Sequence, residues 1–205
     1  EEYMTLTLYH PKFGYYSKKN IIGKSGDFIT SPEVSQVFGE LIASWLIFNS
    51  SSFFKNKFNF LELGPGRAVL IQDILRTLKS INLKLYDNVE NIYFLENSLE
   101  FRKYQKKIKK SKIISDIEEI EKKETFIIAN EFFDAIPVNQ YVKIGESWHE
   151  KRINIDKKNK LNFSLSTYPV KINLPFPSTD KKDYIFEYST YMHLLLSNIF
   201  KRIDS

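Results

Sequence analysis

Two short stretches carry residue types that could do chemistry. In Phe58-Asn59-Phe60-Leu61-Glu62-Leu63-Gly64-Pro65-Gly66-Arg67, strand formers lead to an acid and then break into glycines. In Asn130-Glu131-Phe132-Phe133-Asp134, an amide, two carboxylates and two rings follow the apolar run Thr125–Ala129. Glycine has no Cβ to hold a nucleotide or nucleoside away from the backbone, and it supplies the φ freedom a tight turn needs. Such a turn gains meaning from an acid at the tip of the next strand, where a carboxylate can accept both hydroxyl protons of a ribose. Asn91–Leu95 followed by Glu96 meets that requirement, and Asp116 closes a further apolar run. Glu131 and Asp134 suit a cation such as guanidinium, a planar fork of donors that stays protonated. The plainer alternative is a core turn, with Asn130 capping a loop and Phe132 and Phe133 buried.

A third cluster, Gly26, Asp27, Thr30 and Ser31, precedes a helix start and suits an anion or polar ligand; an ordinary capped helix is the alternative. Other chemistries lose their signatures. The separation of Gly66 from Glu96 exceeds the roughly 20 residues of the dinucleotide fingerprint, and its third glycine is lacking, so NAD is disfavoured. No Walker A sequence and no Gly-x-Ser-x-Gly occur. His10, His149 and His193 are scattered without metal-ligand spacing. With no cysteine, disulfides, zinc thiolates and thiol nucleophiles are excluded. The 205 residues carry a formal charge of +5, much of it in Arg102–Lys112, which raises the question of nucleic acid. Only Phe101, Tyr104 and Ile108 make an apolar stripe there, so that run reads as the solvated face of a helix.

The elements that position these groups follow from periodicity. Ser31-Pro32-Glu33 opens a helix whose expected buried face is Val34, Val37, Phe38, Leu41, Ile42, Trp45 and Leu46. Helix Val69–Leu78 follows the glycines, an extended loop spans Lys79–Glu90, and strands are expected at Asn91–Glu96, Lys112–Ser115 and Thr125–Ala129. Alternating strands and helices imply a parallel sheet with right-handed crossovers, and ligands then collect at its carboxyl edge. From Val138 to Asp183, alternation of apolar and polar residues reads as antiparallel hairpins. Tyr184–Glu187 resumes a strand, and Ser189 or Thr190 caps a last helix through Phe200. The expected layout is one truncated α/β domain over 1–205, with an amino-terminal loop and helix at 1–50, a Rossmann-like core at 58–137 and a β-rich insertion at 138–183. Four core strands are accounted for, so the carboxyl-terminal strands are expected to lie outside this chain. No run of apolar residues is long enough to span a membrane. No secretory signal precedes Glu1, and a true start upstream is expected because the chain lacks an initiating methionine.

Tyr9-x-Pro11-x-Phe13-Gly14-Tyr15-Tyr16, Gly26-Asp27-Phe28-x-Thr30-Ser31-Pro32-Glu33-Val34-Ser35, Phe38-Gly39-Glu40, Glu62-Leu63-Gly64-Pro65-Gly66-Arg67 and Asn130-Glu131-Phe132-Phe133-Asp134-Ala135 together resemble the MidA family. That is the class I S-adenosylmethionine-dependent methyltransferase family of mitochondrial complex I assembly and its bacterial relatives. The resemblance implies an α/β, Rossmann-like fold, S-adenosyl-L-methionine as cofactor, and methylation of arginine in a protein. A respiratory NADH dehydrogenase subunit is the implied partner, in the mitochondrial matrix or, for bacterial members, the cytoplasm. Carried onto this sequence, Glu62, Gly64, Pro65 and Gly66 would hold the cofactor with Glu96 on its ribose and Asp116 nearby. Gly26, Asp27, Thr30 and Ser31 would close the site, while Asn130, Glu131 and Asp134 would face the substrate. Ala68 stands where a second turn glycine is frequent, and Asn97 replaces a small hydroxyl residue. Methylation of a nucleobase amine through Asn130, or a non-catalytic assembly role, are the alternatives.

Overall fold

A computed structural model describes residues 1–17, 29–53 and 56–203. The chain forms two compact units, one of residues 1–18 and 136–193, the other of 19–135 and 194–205. Helix α1 (Glu2–Tyr9) opens the first of these. The second holds α2 (Ser31–Val34) and α3 (Val37–Phe53), then β1 (Phe58–Leu63), α4 (Val69–Ile81), α5 (Leu83–Asn88), β2 (Val89–Leu95), α6 (Leu99–Gln105), β3 (Ser111–Ile114) and β4 (Thr125–Ile128).

The four strands are parallel, in the order β3-β2-β1-β4. This is the α/β arrangement that strand–helix alternation requires. Every residue of β1 is buried, as in a strand covered on both faces. Successive side chains alternate: Phe58 and Phe60 join Leu70, Ile71, Ile74 and Phe94 in one layer, while Leu61 and Leu63 join Tyr93, Leu95, Ile114 and Ile117 in the other. Leu195 and Ile199 of the last helix, α7 (Thr190–Ile203), complete that second layer. Helix α4 buries Leu70, Ile71, Ile74, Thr77 and Leu78. Gly39 lets α3 approach α4 closely, since a Cβ there would lie 2.6 Å from the Asp73 Cβ.

Three elements differ from expectation. The helix starting at Ser31 breaks at Ser35, whose backbone is extended (φ −153°, ψ 133°), and restarts at Val37. Only Leu46 of its expected buried face is fully buried, with Phe38 and Ile42 partly so; Val34, Val37, Leu41 and Trp45 are exposed. A helix buries one stripe per packed neighbour, and the stripe of α3 that meets α4 and the sheet layer is the one that holds Phe38, Ile42 and Leu46. The Lys79–Glu90 stretch is not an extended loop. Asn82 caps α5 by accepting the Leu85 N–H at 3.0 Å, so an asparagine converts a polar stretch into a second short helix. The lysine-rich helix stops at Gln105, well short of Lys110, which sits at φ 66°.

In the other unit, β5 (Asn139–Ile144), β6 (Ser147–Ile155), β7 (Leu161–Leu165) and β8 (Ile185–Tyr188) make an antiparallel sheet ordered β7-β6-β5-β8. Gly145, at φ 56°, sits in the two-residue connection between β5 and β6, where such turns favour positive φ. Trp148 stacks on Phe176 at 4.8 Å between ring centroids, with Phe186 and Tyr141 edge-on to Phe176. The sequence alternation over 138–165 is therefore that of hairpins, as expected.

Candidate cofactor and substrate site

In a parallel sheet every strand ends on the same side, so Glu62, Glu96, Asp116 and Asn130 come to one edge. At its centre is the glycine turn. Gly64 (φ 63°), Gly66 (φ 53°) and Ala68 (φ 56°) are all left-handed. Among the described residues, a Cβ on Gly66 would meet nothing within 4 Å, so space lies open above it. The Gly64 N–H donates to the Leu95 carbonyl at 3.1 Å, which fixes the turn against the strand that carries Glu96. Ala68 adopts the left-handed backbone for which a glycine would be the ordinary choice.

Glu96 is held from several sides. Its Oε1 accepts the Ser98 N–H at 2.7 Å and its Oε2 the Gln105 Nε2 at 3.4 Å. Gln105 Nε2 also donates to the Gly66 carbonyl at 2.8 Å. Arg102 forks onto the Glu96 carbonyl through Nε (3.0 Å) and Nη2 (2.7 Å). Burial raises the Glu96 carboxyl above its ordinary range, while N–H groups of Ser98, Gly66 and Asn97 and the Gln105 amide oppose that rise.

Glu62 sits deeper. It shares a face of β1 with Phe58 and Phe60, and its register neighbours are Phe94 and Ile128. It is buried, its Oε2 has no hydrogen-bond partner, and loss of solvent followed by the nearby Glu96 charge pushes its carboxyl up to about 8. A buried acid with an idle oxygen beside a glycine turn is a group prepared for a partner that arrives from outside.

Three of the remaining expected residues cluster after β4. Phe132 lies directly over the turn, so that a Cβ on Gly64 would come within 2.7 Å of its Cδ2. Phe132 and Phe133 meet edge-on at 5.4 Å and pack on the second core layer, the plainer of the two alternatives for these rings. Glu131 is exposed with φ 49°, an unusual backbone for an acid, and Asp134 is exposed on the short turn Phe133–Ala135. Asn130 is half-buried and closes one end of a cleft of about 500 Å³ that runs along β4 beside Phe38, Leu41, Ile42 and Trp45 of α3. Asp116 caps the turn after β3, its Oδ1 accepting the Glu118 N–H at 2.9 Å.

On the amino-terminal side, Arg67 of the glycine turn grips Glu33 of α2 with both ends of its fork, Nε to Oε1 at 2.8 Å and Nη2 to Oε2. Half-buried Thr30 and exposed Ser31 begin that short helix, so the ion pair ties their segment to the turn. Gly26 and Asp27 lie outside the described residues. Among groups the sequence reading passed over, Gln105 is the clearest. It was hidden in a lysine run, and its one signal was a spacing of four from Phe101 on the half-buried side of α6.

The two turn glycines should respond differently to alanine. Gly64→Ala adds both a left-handed strain and a collision with Phe132, so unfolding stability should fall by more than about 2 kcal/mol. Gly66→Ala meets open space and should lose only about 1 kcal/mol. Denaturant midpoints of the two variants check this order.

Residues 41–205 match the Methyltransf_28 family of S-adenosyl-L-methionine-dependent methyltransferases. The chain belongs to that family. It is similar to the protein arginine methyltransferase NDUFAF7, mitochondrial, of Bos taurus, 33% identical over 212 residues, covering 90% of this chain and 48% of that one. The Homo sapiens protein of the same name is 34% identical over 193 residues, covering 80% and 44%. A crystal structure of a Burkholderia thailandensis protein bound to S-adenosyl-homocysteine matches in fold with a TM-score of 0.72 at 20% identity, covering 98% of this chain and 54% of that one. The chain thus spans about half the length of the relatives it matches.

The site fits an adenosyl sulfonium. The open space over Gly66, the restrained Glu96 carboxylate and the idle oxygen of the Glu62 carboxyl fit respectively a close ligand, the hydroxyls of a ribose and a hydrogen-bonding group of such a ligand.

Proposed function

We propose that this chain carries the cofactor half of an S-adenosyl-L-methionine-dependent methyltransferase that modifies arginine side chains of a protein. One observation carries the reading: Phe132 rests on Gly64, and Glu131 and Asp134 flank Phe132 and Phe133 in the segment that follows β4.

When bound, the cofactor supplies an electrophilic methyl group on a positively charged sulfur. Gly64 and Gly66 would seat it, Glu96 would orient it through its ribose, and Glu62 would offer it the idle oxygen of its buried carboxyl. The segment of Thr30 and Ser31, held by the Arg67–Glu33 pair, would border it. Glu131 and Asp134 would hold a guanidinium by two of its nitrogens, which leaves the third to receive the methyl and shed one proton. Alignment and fixed charge in a shielded site would supply much of the rate. Asn130 would orient the substrate from the end of the cleft.

The relatives named protein arginine methyltransferases support this substrate class. A respiratory NADH dehydrogenase subunit is the partner we propose, in a mitochondrial matrix or a bacterial cytoplasm. Among the described residues, no helix is long and apolar enough to cross a membrane. The basic run argues little for RNA, because four of its seven cations are engaged within the protein: Arg102 on the Glu96 carbonyl, Lys103 with Glu100, Lys110 on the Val89 carbonyl and Lys112 with Glu121.

The test is calorimetric titration with S-adenosylmethionine, followed by transfer of its labelled methyl group to cell protein and to cell RNA. Saturable binding with label in protein, recovered as methylarginine, is the expected result. Label confined to RNA, or no cofactor binding, would overturn the proposal.

A further inference from the structure

Gln105 is a fully buried amide on α6, and both of its donors work at the cofactor edge: Nε2 reaches the Gly66 carbonyl at 2.8 Å and Glu96 Oε2 at 3.4 Å. Its Oε1 is buried without a partner. A side chain kept only to fill space would avoid an idle buried acceptor, which leucine or methionine does at similar volume. What the amide adds is a link between two places that belong to different strand ends. The Glu96 side chain has one oxygen fixed by the Ser98 N–H at 2.7 Å. The Gly66 and Asn97 N–H groups also act on this carboxylate, and Gln105 adds a side-chain hold on the other oxygen from a point anchored on the glycine turn.

We infer that Gln105 is a positioning residue: by bridging the Gly66 carbonyl and the Glu96 carboxylate, it sets the plane in which Glu96 receives the two hydroxyls of a cofactor ribose. This rests on the reading that Glu96 takes the ribose. It extends that reading to a residue outside the strand-end set and makes α6 part of the cofactor cradle.

The experiment compares S-adenosylhomocysteine with its 2′-deoxy analogue by calorimetry, on the parent chain, Gln105→Leu, Gln105→Met and Glu96→Ala, with thermal unfolding of each. The parent should prefer the ribose form by about tenfold or more, the scale of a hydrogen bond to a charged acceptor. Glu96→Ala should abolish that preference. Gln105→Leu and Gln105→Met should unfold within about 5 °C of the parent, the shift expected of roughly 1 kcal/mol or less. Their preference should fall to within about twofold while affinity for the deoxy form stays near that of the parent. A folded Gln105 variant that keeps the parent's preference overturns the inference, as does equal loss of affinity for both ligands, which would mark the amide as scaffold alone. A parent without preference, or a Glu96→Ala variant that retains it, refutes the ribose reading instead. Methionine keeps the length and flexibility of glutamine, so it carries the comparison if the branched leucine disturbs folding.

Discussion

Glu131→Gln is expected to cut methyl transfer to protein by about 100-fold or more, the loss typical of removing one fixed electrostatic contact from a reacting centre. Its affinity for S-adenosylhomocysteine should stay within about threefold of the parent, because Glu131 is proposed to hold the substrate and not the cofactor. The substitution keeps the size but removes the charge and turns one of the two acceptor oxygens that a guanidinium requires into a donor. It also leaves the left-handed backbone at residue 131 in place, so stability should change little. Methyl incorporation and calorimetry on the same preparations check both halves. Transfer that survives Glu131→Gln would remove this carboxylate from the substrate site, and cofactor affinity that collapses would make it part of the cofactor cradle instead.

The largest effect on stability is expected at Glu62, and it should depend on pH. An unfolded glutamate releases its proton near 4.5, whereas burial among Phe60, Phe94 and Ile128 holds the folded carboxyl up at about 8. Below pH 4.5 both states keep the proton, and the folded state has its full stability with respect to this group. Between about 4.5 and 8 the unfolded chain ionises while the folded chain does not, so stability drains away at up to about 1.4 kcal/mol per pH unit. Above 8 the loss is complete, on the order of several kcal/mol. Glu62→Gln has no proton to release. Its stability relative to the parent should therefore rise steadily from pH 4.5 to pH 8, as read from chemical denaturation at each pH. A difference that stays flat across that window would mean that the Glu62 carboxyl is solvated in the folded protein. The folded Glu62 carboxyl carries its charge only above about 8, so any weakening of S-adenosylmethionine binding in Glu62→Gln should appear there and not at neutral pH.

The glycine turn was legible because its demands are local. Gly64 and Gly66 are needed where φ is positive, and an apolar run before them can only be a buried strand. Glu96 was legible because a strand end is an edge, and parallel connections bring such edges together. Asn82 shows the opposite case. Its capping bond to Leu85 turns a polar stretch into α5, and nothing in hydrophobic periodicity registers a bond of that kind. The amino-terminal helix failed in a different way. Its apolar residues, Val34 to Leu46, cover more of the circumference than one stripe, and sequence periodicity cannot tell which part meets a neighbour. The structure gives Phe38, Ile42 and Leu46 to the core and leaves Leu41 and Trp45 along the cleft beside β4.

By itself the sequence determined the parallel α/β core, the order of its turns and acids, and the family to which the chain belongs, because strand period, glycine punctuation and strand-end residues are properties of neighbours along the chain. Only the tertiary structure decided how those pieces act on one another. Phe132 over Gly64, Arg67 on Glu33, Gln105 between Gly66 and Glu96, and the partnerless oxygen of Glu62 all join residues whose proximity depends on packing of separate elements. Charge, desolvation and hydrogen-bond geometry act through distance in space, and folding sets that distance.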